Sequence, residues 1–296
     1  MSDYHVPILL GQVLDFLAVG PDKKYIDCNL GGAGHTRGIL ERGGVVLGID
    51  WDQEAIDYVC KNQKEFIETG KLVLRKGNFA YLKNIANDAG FGKVSGILFD
   101  LGVSSHQLDT DYRGFSFNRG GLLDMRMDKD LGVTARDLIN AAGESELANI
   151  FWRFAQEKSS RRIAAAIVHY RKSKSIETTD ELAKVVMSAS FRSGKDRNHP
   201  ATRVFQALRI AVNDELANID AALPQALDLV EIGGRLVILS FHSGEDRIVK
   251  DFFRNQEKLG KVEILTRHVI KAGGEEIRVN PRAKSAKLRV LVKKRT

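Results

Sequence analysis

Asp27-Cys28-Asn29-Leu30-Gly31-Gly32-Ala33-Gly34-His35 is the stretch on which the fold turns. The residues leading into it, KYID from Lys24, are strand-like, and those following it, Thr36 to Leu40, take up helical spacing. Glycines at a strand-to-helix turn let the backbone approach a nucleotide-like ligand, because no Cβ blocks the way. The next strand-like run, VVLGID, closes on Asp50, about 20 residues further on, where a carboxylate can accept both ribose hydroxyls of an adenosine. The glycine spacing does not fit G-x-G-x-x-G: relative to Gly32 and Gly34, Arg37 stands where the third glycine would be. A dinucleotide would also place its pyrophosphate on that helix N-terminus. An adenosine cofactor without phosphates fits the turn better.

Outward from this turn, KLVLRKGN and VSGILFD continue an alternation of short apolar runs with amphipathic stretches, the βαβ rhythm of a parallel sheet. Residues just past strand ends in such a sheet face the ligand crevice. That selects Phe79, after Gly77-Asn78, as a ring to lie on an adenine, and Asp100, after GILF, as the acid nearest the reaction. The Ser105-His106 pair beyond it lacks a G-x-S-x-G elbow and is not read as a nucleophile.

After Asp100 the rhythm stops. Thr134–Ala142, Glu144–Ala155, Ser159–Lys172 and Thr179–Ala189 read as helices, and strand signals return at Arg235–His242, Lys261–His268 and Lys287–Lys294. An α/β sheet opened by a helical insertion explains this order, with a first catalytic part at 1–108, the insertion at 109–200 and a second catalytic part at 201–296. The charged, glycine-bearing stretch Lys271–Ala286 reads as a mobile loop.

Lys and Arg number 45 against 38 Asp and Glu, a net +7, which favours an anionic partner such as nucleic acid. The charge is uneven: Lys261–Thr296 holds 11 basic and 3 acidic residues, and Arg153–Lys174 holds 7 basic residues with Glu157 alone against them. The first residues lack a basic stretch leading into a long apolar run, and no apolar run approaches the ~18 residues of a membrane span. Two cysteines, Cys28 and Cys60, suit a reducing compartment and supply neither a disulfide framework nor a zinc site. A cytoplasmic, unexported protein without membrane or metal is the expectation.

Three longer strings carry a resemblance: GFSFNRGGLLDMRMD (Gly114 to Asp128), HPATRVFQALRIAVNDEL (His199 to Leu216) and GGRLVILSFHSGEDRIVK (Gly233 to Lys250). With the opening HVPILLGQVLDFL and the closing NPRAKSAKLRV, they make nearly the whole chain resemble the 16S ribosomal RNA cytosine-N4 methyltransferases. The resemblance implies a class I, Rossmann-like methyltransferase sheet with an inserted helical domain. It implies S-adenosyl-L-methionine as cofactor and a cytosine amine in the decoding region of the small subunit as substrate. Cofactor contacts fall on Gly32, Ala33, Gly34, His35, Asp50, Phe79, Asp100 and Gln107, and a homodimer is implied by family likeness alone. Ala33 replaces a family glycine, His106 a proline, and Gln156-Glu157-Lys158-Ser159 departs from the family's Gly-Glu-Glu-Arg. If position 33 needs positive φ, the alanine is strained by about 1 kcal/mol.

Methyl transfer from a sulfonium needs no metal, only donor carbon and acceptor nitrogen held in line. A cytosine amine is a poor nucleophile, so an acceptor near its N–H groups is wanted, and Asp100 is the catalytic candidate. For RNA, a base must be unstacked and the phosphates gripped. Arg162, His199, Arg203 and His242 are candidate substrate contacts, within wider patches that include Arg161, Arg171, Lys172, Arg282, Lys284, Lys287 and Arg289. Two other readings remain open on the residues alone: an NAD-dependent oxidoreductase, and a non-catalytic RNA-binding or ribosome-assembly protein on a relic cofactor fold.

Overall fold

The computed structural model describes residues 7–117, 120–190 and 199–295. His5 and Val6 of the opening string, Asn118 and Arg119 of the first internal string and the terminal Thr296 lie outside them. The chain divides into two compact units, one of Met1–Ser104 with Leu216–Thr296 and one of Ser105–Glu215.

The first unit is built on a seven-stranded sheet in the order β3-β2-β1-β4-β5-β7-β6. Its strands are β1 (Lys24–Asp27), β2 (Val45–Asp50), β3 (Leu72–Lys76), β4 (Val94–Asp100), β5 (Val230–Ser240), β6 (Val262–Ile264) and β7 (Lys287–Lys293). The pairs β1/β2, β2/β3, β1/β4 and β4/β5 are parallel, and β7 runs antiparallel to both β5 and β6. This is the class I methyltransferase sheet that the resemblance implies. Strand order reverses between β1 and β4, so the crevice at their carboxyl ends is where such a sheet binds its ligand.

Period-two alternation feeds both faces, as a sheet covered by helices on each side requires. Ile26, Leu47, Ile49, Ile97, Phe99, Leu236 and Ile238 join one core with the helices Leu82–Asp88, Glu215–Leu229 and Ser243–Lys258. Tyr25, Val46, Leu98, Val237 and Leu239 join the other, with Leu10–Leu17, Gly34–Glu41 and Gln53–Asn62.

Three expectations are corrected here. The strand expected over Lys261–His268 shortens to Val262–Ile264, because the Thr266 hydroxyl accepts the Val290 N–H at 2.8 Å and takes the place of a ladder carbonyl. The strand expected at Arg235 begins at Val230, with a shift of register against β4 between Val94 and Gly96. The stretch expected as a mobile loop holds a helix, Gly274–Val279, and a 3-10 turn, Pro281–Ser285. Glu275 and Glu276 favour a helix start, Pro281 presets the turn, and buried Ala283 and Ala286 pack it onto the second core.

The second unit is helical: Ala135–Ala141, Glu144–Ala155, Ser160–Tyr170, Thr179–Ala189 and Ala201–Asn213. Thr134 and Thr178 cap two of these helices, accepting the backbone N–H of Asp137 and Glu181 in capping boxes. Buried Leu147, Phe151, Ile163, Ile167, Val186, Val204 and Leu208 form its interior. The boundary expected at 200/201 moves to Glu215/Leu216, since Ala201–Asn213 packs against Glu144–Ala155 and Asn213 donates to the Met125 carbonyl at 2.8 Å. The first boundary falls at Ser104/Ser105, ahead of the expected 108.

Candidate active site

The carboxyl ends of β1, β2 and β4 bring Asp27, Asp50 and Asp100 to one edge of the sheet. The glycine turn lies among them. Gly31 adopts φ +48°, which costs glycine nothing, and its N–H donates to Asp50 Oδ2 at 2.9 Å. Asp50 Oδ1 accepts the Asp52 N–H at 2.9 Å. A carboxylate has about four lone-pair sites, so two remain for a vicinal diol. Burial pushes the Asp50 carboxyl up to about 7, against the two N–H bonds that favour its ionised form.

Asp27 is fully buried and ties the turn together. Its Oδ1 accepts the Asn29 N–H at 3.2 Å and its Oδ2 accepts the Thr36 hydroxyl at 2.7 Å. Burial raises its carboxyl, opposed by the charge of His35 and the Thr36 hydroxyl. The Asn29 Oδ1 is buried with no hydrogen-bond partner among the described residues, a polar atom that calls for a donor from a ligand.

Ala33 occupies the left-handed region at φ 61°, ψ 28°, so the position does need positive φ and the alanine bears the strain. It caps the helix Gly34–Glu41, whose first turn has neither a side-chain cap nor an acidic residue. Such an N-terminus presents N–H groups and a partial positive charge to an anion. Gly32 precedes it in the turn, and at Gly34 an added Cβ would lie 3.0 Å from the Pro7 ring.

His35 is buried with acceptors at both ring nitrogens: the Ile8 carbonyl 3.0 Å from Nε2 and Asp100 Oδ2 3.3 Å from Nδ1. Burial alone would lower its pKa, but the hydrogen bond and charge of Asp100, with Asp27 and the Ile8 carbonyl, outweigh it and raise the value. Both ring nitrogens are thus occupied within the protein, and the ring holds Asp100 in place. Phe79 opens a 3-10 turn and packs edge-on against Phe99 with centroids 5.6 Å apart, half-buried at the crevice end of β3.

Gln107 belongs to the helical unit, buried in the short helix Ser105–Asp109. The proposed substrate residues prove to be largely built into the scaffold. Arg162 Nε donates to the Ala189 carbonyl at 2.6 Å and Arg171 to the carbonyls of Ile139 and Ala142, so both satisfy helix C-termini. His199 stacks on Phe117 at 4.5 Å, its Nδ1 accepts the Ala201 N–H at 3.2 Å, and Arg203 lies 3.9 Å from Glu157. His242 caps the helix Ser243–Lys258, its Nδ1 accepting the N–H groups of Gly244 and Glu245, with Nε2 3.2 Å from the Glu245 carboxylate. Lys287 and Arg289 pair with Asp246 at 3.3 and 2.7 Å. Asp27 and Asn29 were quoted within the turn but not selected as site residues. Their place at the end of β1, beside the switch point, was the available signal.

An open sheet of this order, with a glycine turn after β1 and carboxylates closing β2 and β4, makes a nucleoside-sized site at the switch point of an α/β fold. The sequence matches the MraW methylase family over residues 2–294, and the chain belongs to that family. Three relatives bear the name "Ribosomal RNA small subunit methyltransferase H". The one from Geotalea uraniireducens is 43% identical and covers 99% of this chain and 100% of its own. The one from Coprothermobacter proteolyticus is 44% identical, covering 99% and 98%. The one from Fusobacterium nucleatum is 42% identical, covering 98% and 97%. The oxidoreductase and relic readings fall with this membership.

Proposed function

We propose that this chain transfers a methyl group from S-adenosylmethionine to the N4 amine of a cytosine in the decoding region of 16S ribosomal RNA. The observation that carries the cofactor assignment is the convergence at one sheet edge of Asp50, with two lone-pair sites left over, an orphaned Asn29 Oδ1 and an uncapped helix N-terminus. A ribose diol, an ammonium group and a carboxylate are the complementary set, and an amino-acid nucleoside carries all three. Asp50 takes the ribose, Asn29 the ammonium, and the backbone of Gly32, Ala33, Gly34 and His35 the carboxylate. Phe79 flanks the adenine.

Bound there, the cofactor supplies an electrophilic methyl on a sulfonium sulfur. The protein's own contribution is positional and electrostatic. Asp100, held by His35, accepts a hydrogen bond from the cytosine amine and directs its lone pair at the methyl carbon. Transfer of the methyl would leave the bond electrons on the cofactor's sulfur, and the surplus N4 proton would pass to solvent.

The substrate assignment is supported by the names of the relatives and by the basic balance of the chain. The helical unit, Ser105–Glu215, serves as the RNA-recognition part, and the reaction belongs to the cytoplasm, where small subunits are made. Among the described residues no helix is long and apolar enough to cross a membrane. Incubation with labelled S-adenosylmethionine and small subunits lacking their native base methylations tests the proposal. Label enters the RNA with the wild-type chain and not with Asp50→Ala; no label from either would refute it.

A further inference from the structure

We propose that the helical unit carries a stacking site for one unpaired nucleotide of the substrate, built around the exposed Trp152. A half-open groove of about 500 Å³ runs between the helices Glu144–Ala155 and Ser160–Tyr170. Its wall carries Asn149 and Trp152 from the first helix and Lys158, Arg161 and Arg162 from the turn and the second. This inference rests on the reading of the chain as an RNA methyltransferase.

The local fold explains why these groups meet. Gln156 takes a left-handed C-cap at φ 53°, its N–H bonding the Trp152 carbonyl at 2.9 Å while the Glu157 N–H bonds the Phe151 carbonyl at 3.1 Å. The chain reverses within a few residues, and the second helix begins at Ser160. Asn149 and Trp152 are three residues apart, so both fall on one stripe of their helix, opposite buried Leu147 and Phe151.

Trp152 is 57% exposed, although an indole is among the side chains that gain most from burial. Lys158 and Arg161 make no ion pair among the described residues, whereas Arg162, Arg171 and Lys174 in the same basic run are engaged by Ala189, Ile139 and Glu181. Within the run, Arg162, Arg171 and Lys174 also serve the scaffold, while Lys158 and Arg161 are exposed at the groove. The second helix has no acid in its first turn, and the Glu157 carboxylate just ahead of it accepts the Ser159 N–H at 2.8 Å. Two exposed cations suit a phosphate, and an indole face beside them suits a base. An acidic peptide would use the cations and leave the indole without a role. The volume lies within the roughly 300–1,000 Å³ of small-ligand sites, enough for a single nucleotide unit.

Trp152 fluorescence in a Trp51→Phe background reads the contact directly. A short single-stranded oligoribonucleotide should quench it saturably, and the midpoint should rise with salt, less steeply in Lys158→Ala/Arg161→Ala. Trp152→Ala should raise the KM for small subunits about tenfold while Trp152→Phe restores most of it, with S-adenosylhomocysteine affinity unaltered as the check on folding. Absence of quenching, or a KM indistinguishable from wild type in Trp152→Ala, would overturn the groove assignment while methyl transfer by the wild type continued. Quenching by an acidic peptide and not by the oligonucleotide would overturn it in favour of a protein partner. Loss of methyl transfer by the wild type itself would be a failure of the proposed function instead.

Discussion

Asp50 shows how a single side chain couples the cofactor site to pH. In the unfolded chain it titrates near 3.8 and in the fold at about 7, so between those values the native state keeps a proton that the unfolded state has released. Its contribution to the stability of the free protein is complete below the lower value and is lost as pH rises through the higher one. A ribose diol needs the ionised acceptor, so S-adenosylhomocysteine affinity should strengthen as pH rises from 6 to 8, by up to about tenfold per unit below 7. Calorimetric titration across that range, with Asp50→Asn binding weakly and without the slope, checks it.

His35 gives the second pH effect: its pKa is raised from 6.5, so the support it lends is full below 6.5 and disappears as pH climbs through the raised value. Melting temperature should therefore fall on the alkaline side in the wild type and less steeply in His35→Gln. At Ala33 two terms oppose each other. Glycine would relieve about 1 kcal/mol of left-handed strain but remove a buried methyl of about 0.8 kcal/mol, so Ala33→Gly should move the melting temperature by less than about 3 °C. The carboxylates at strand ends were legible in the sequence because a strand's end is legible. The roles of His35 and His242 were not, since a histidine's partners come from distant segments: Ile8 for the first, a helix start for the second.

Among elements, β2 and β4 were readable to the residue, as VVLGID and VSGILFD show, whereas β5, also within the sheet, begins five residues ahead of its expected start. The edge strand β6 was not, because a side chain, Thr266, decides where its ladder ends. The Gly274–Val279 helix was hidden by glycines that lie at and before its first residue, where they start it and do not weaken it. The crossing of 111–114 over 121–124 is also decided by space. A Cβ at Gly121 would stand 2.1 Å from the Asp111 carbonyl oxygen, and one at Gly114 2.4 Å from that of Leu122. Backbone cannot yield as a flexible side chain does, so Gly121→Ala should cost at least about 2 kcal/mol, whereas Gly132→Ala, with open space around it, should cost little. Chemical denaturation of both variants makes the comparison.

For the molecule as a whole, net charge points to an anionic partner without saying which cations are free to meet it. The C-terminal basic excess is partly internal: Lys287 and Arg289 hold Asp246, and Lys293 donates to the carbonyls of Leu227 and Val230. Composition counts charges without their partners, so a surplus along the chain need not be a surplus at the surface. The order of strands with a helical interruption was legible because hydrophobic periodicity changes from two to 3.6 and back. The boundary at Glu215 was not, because Ala201–Asn213 has the same periodicity whichever unit it joins. The central claim concerns one atom of one base, and the direct measurement is nuclease digestion and mass spectrometry of RNA from small subunits methylated by the purified chain. A single N4-methylcytidine within the decoding region is the predicted product. A methyl group on a cytosine carbon, on another base or outside that region would contradict the account.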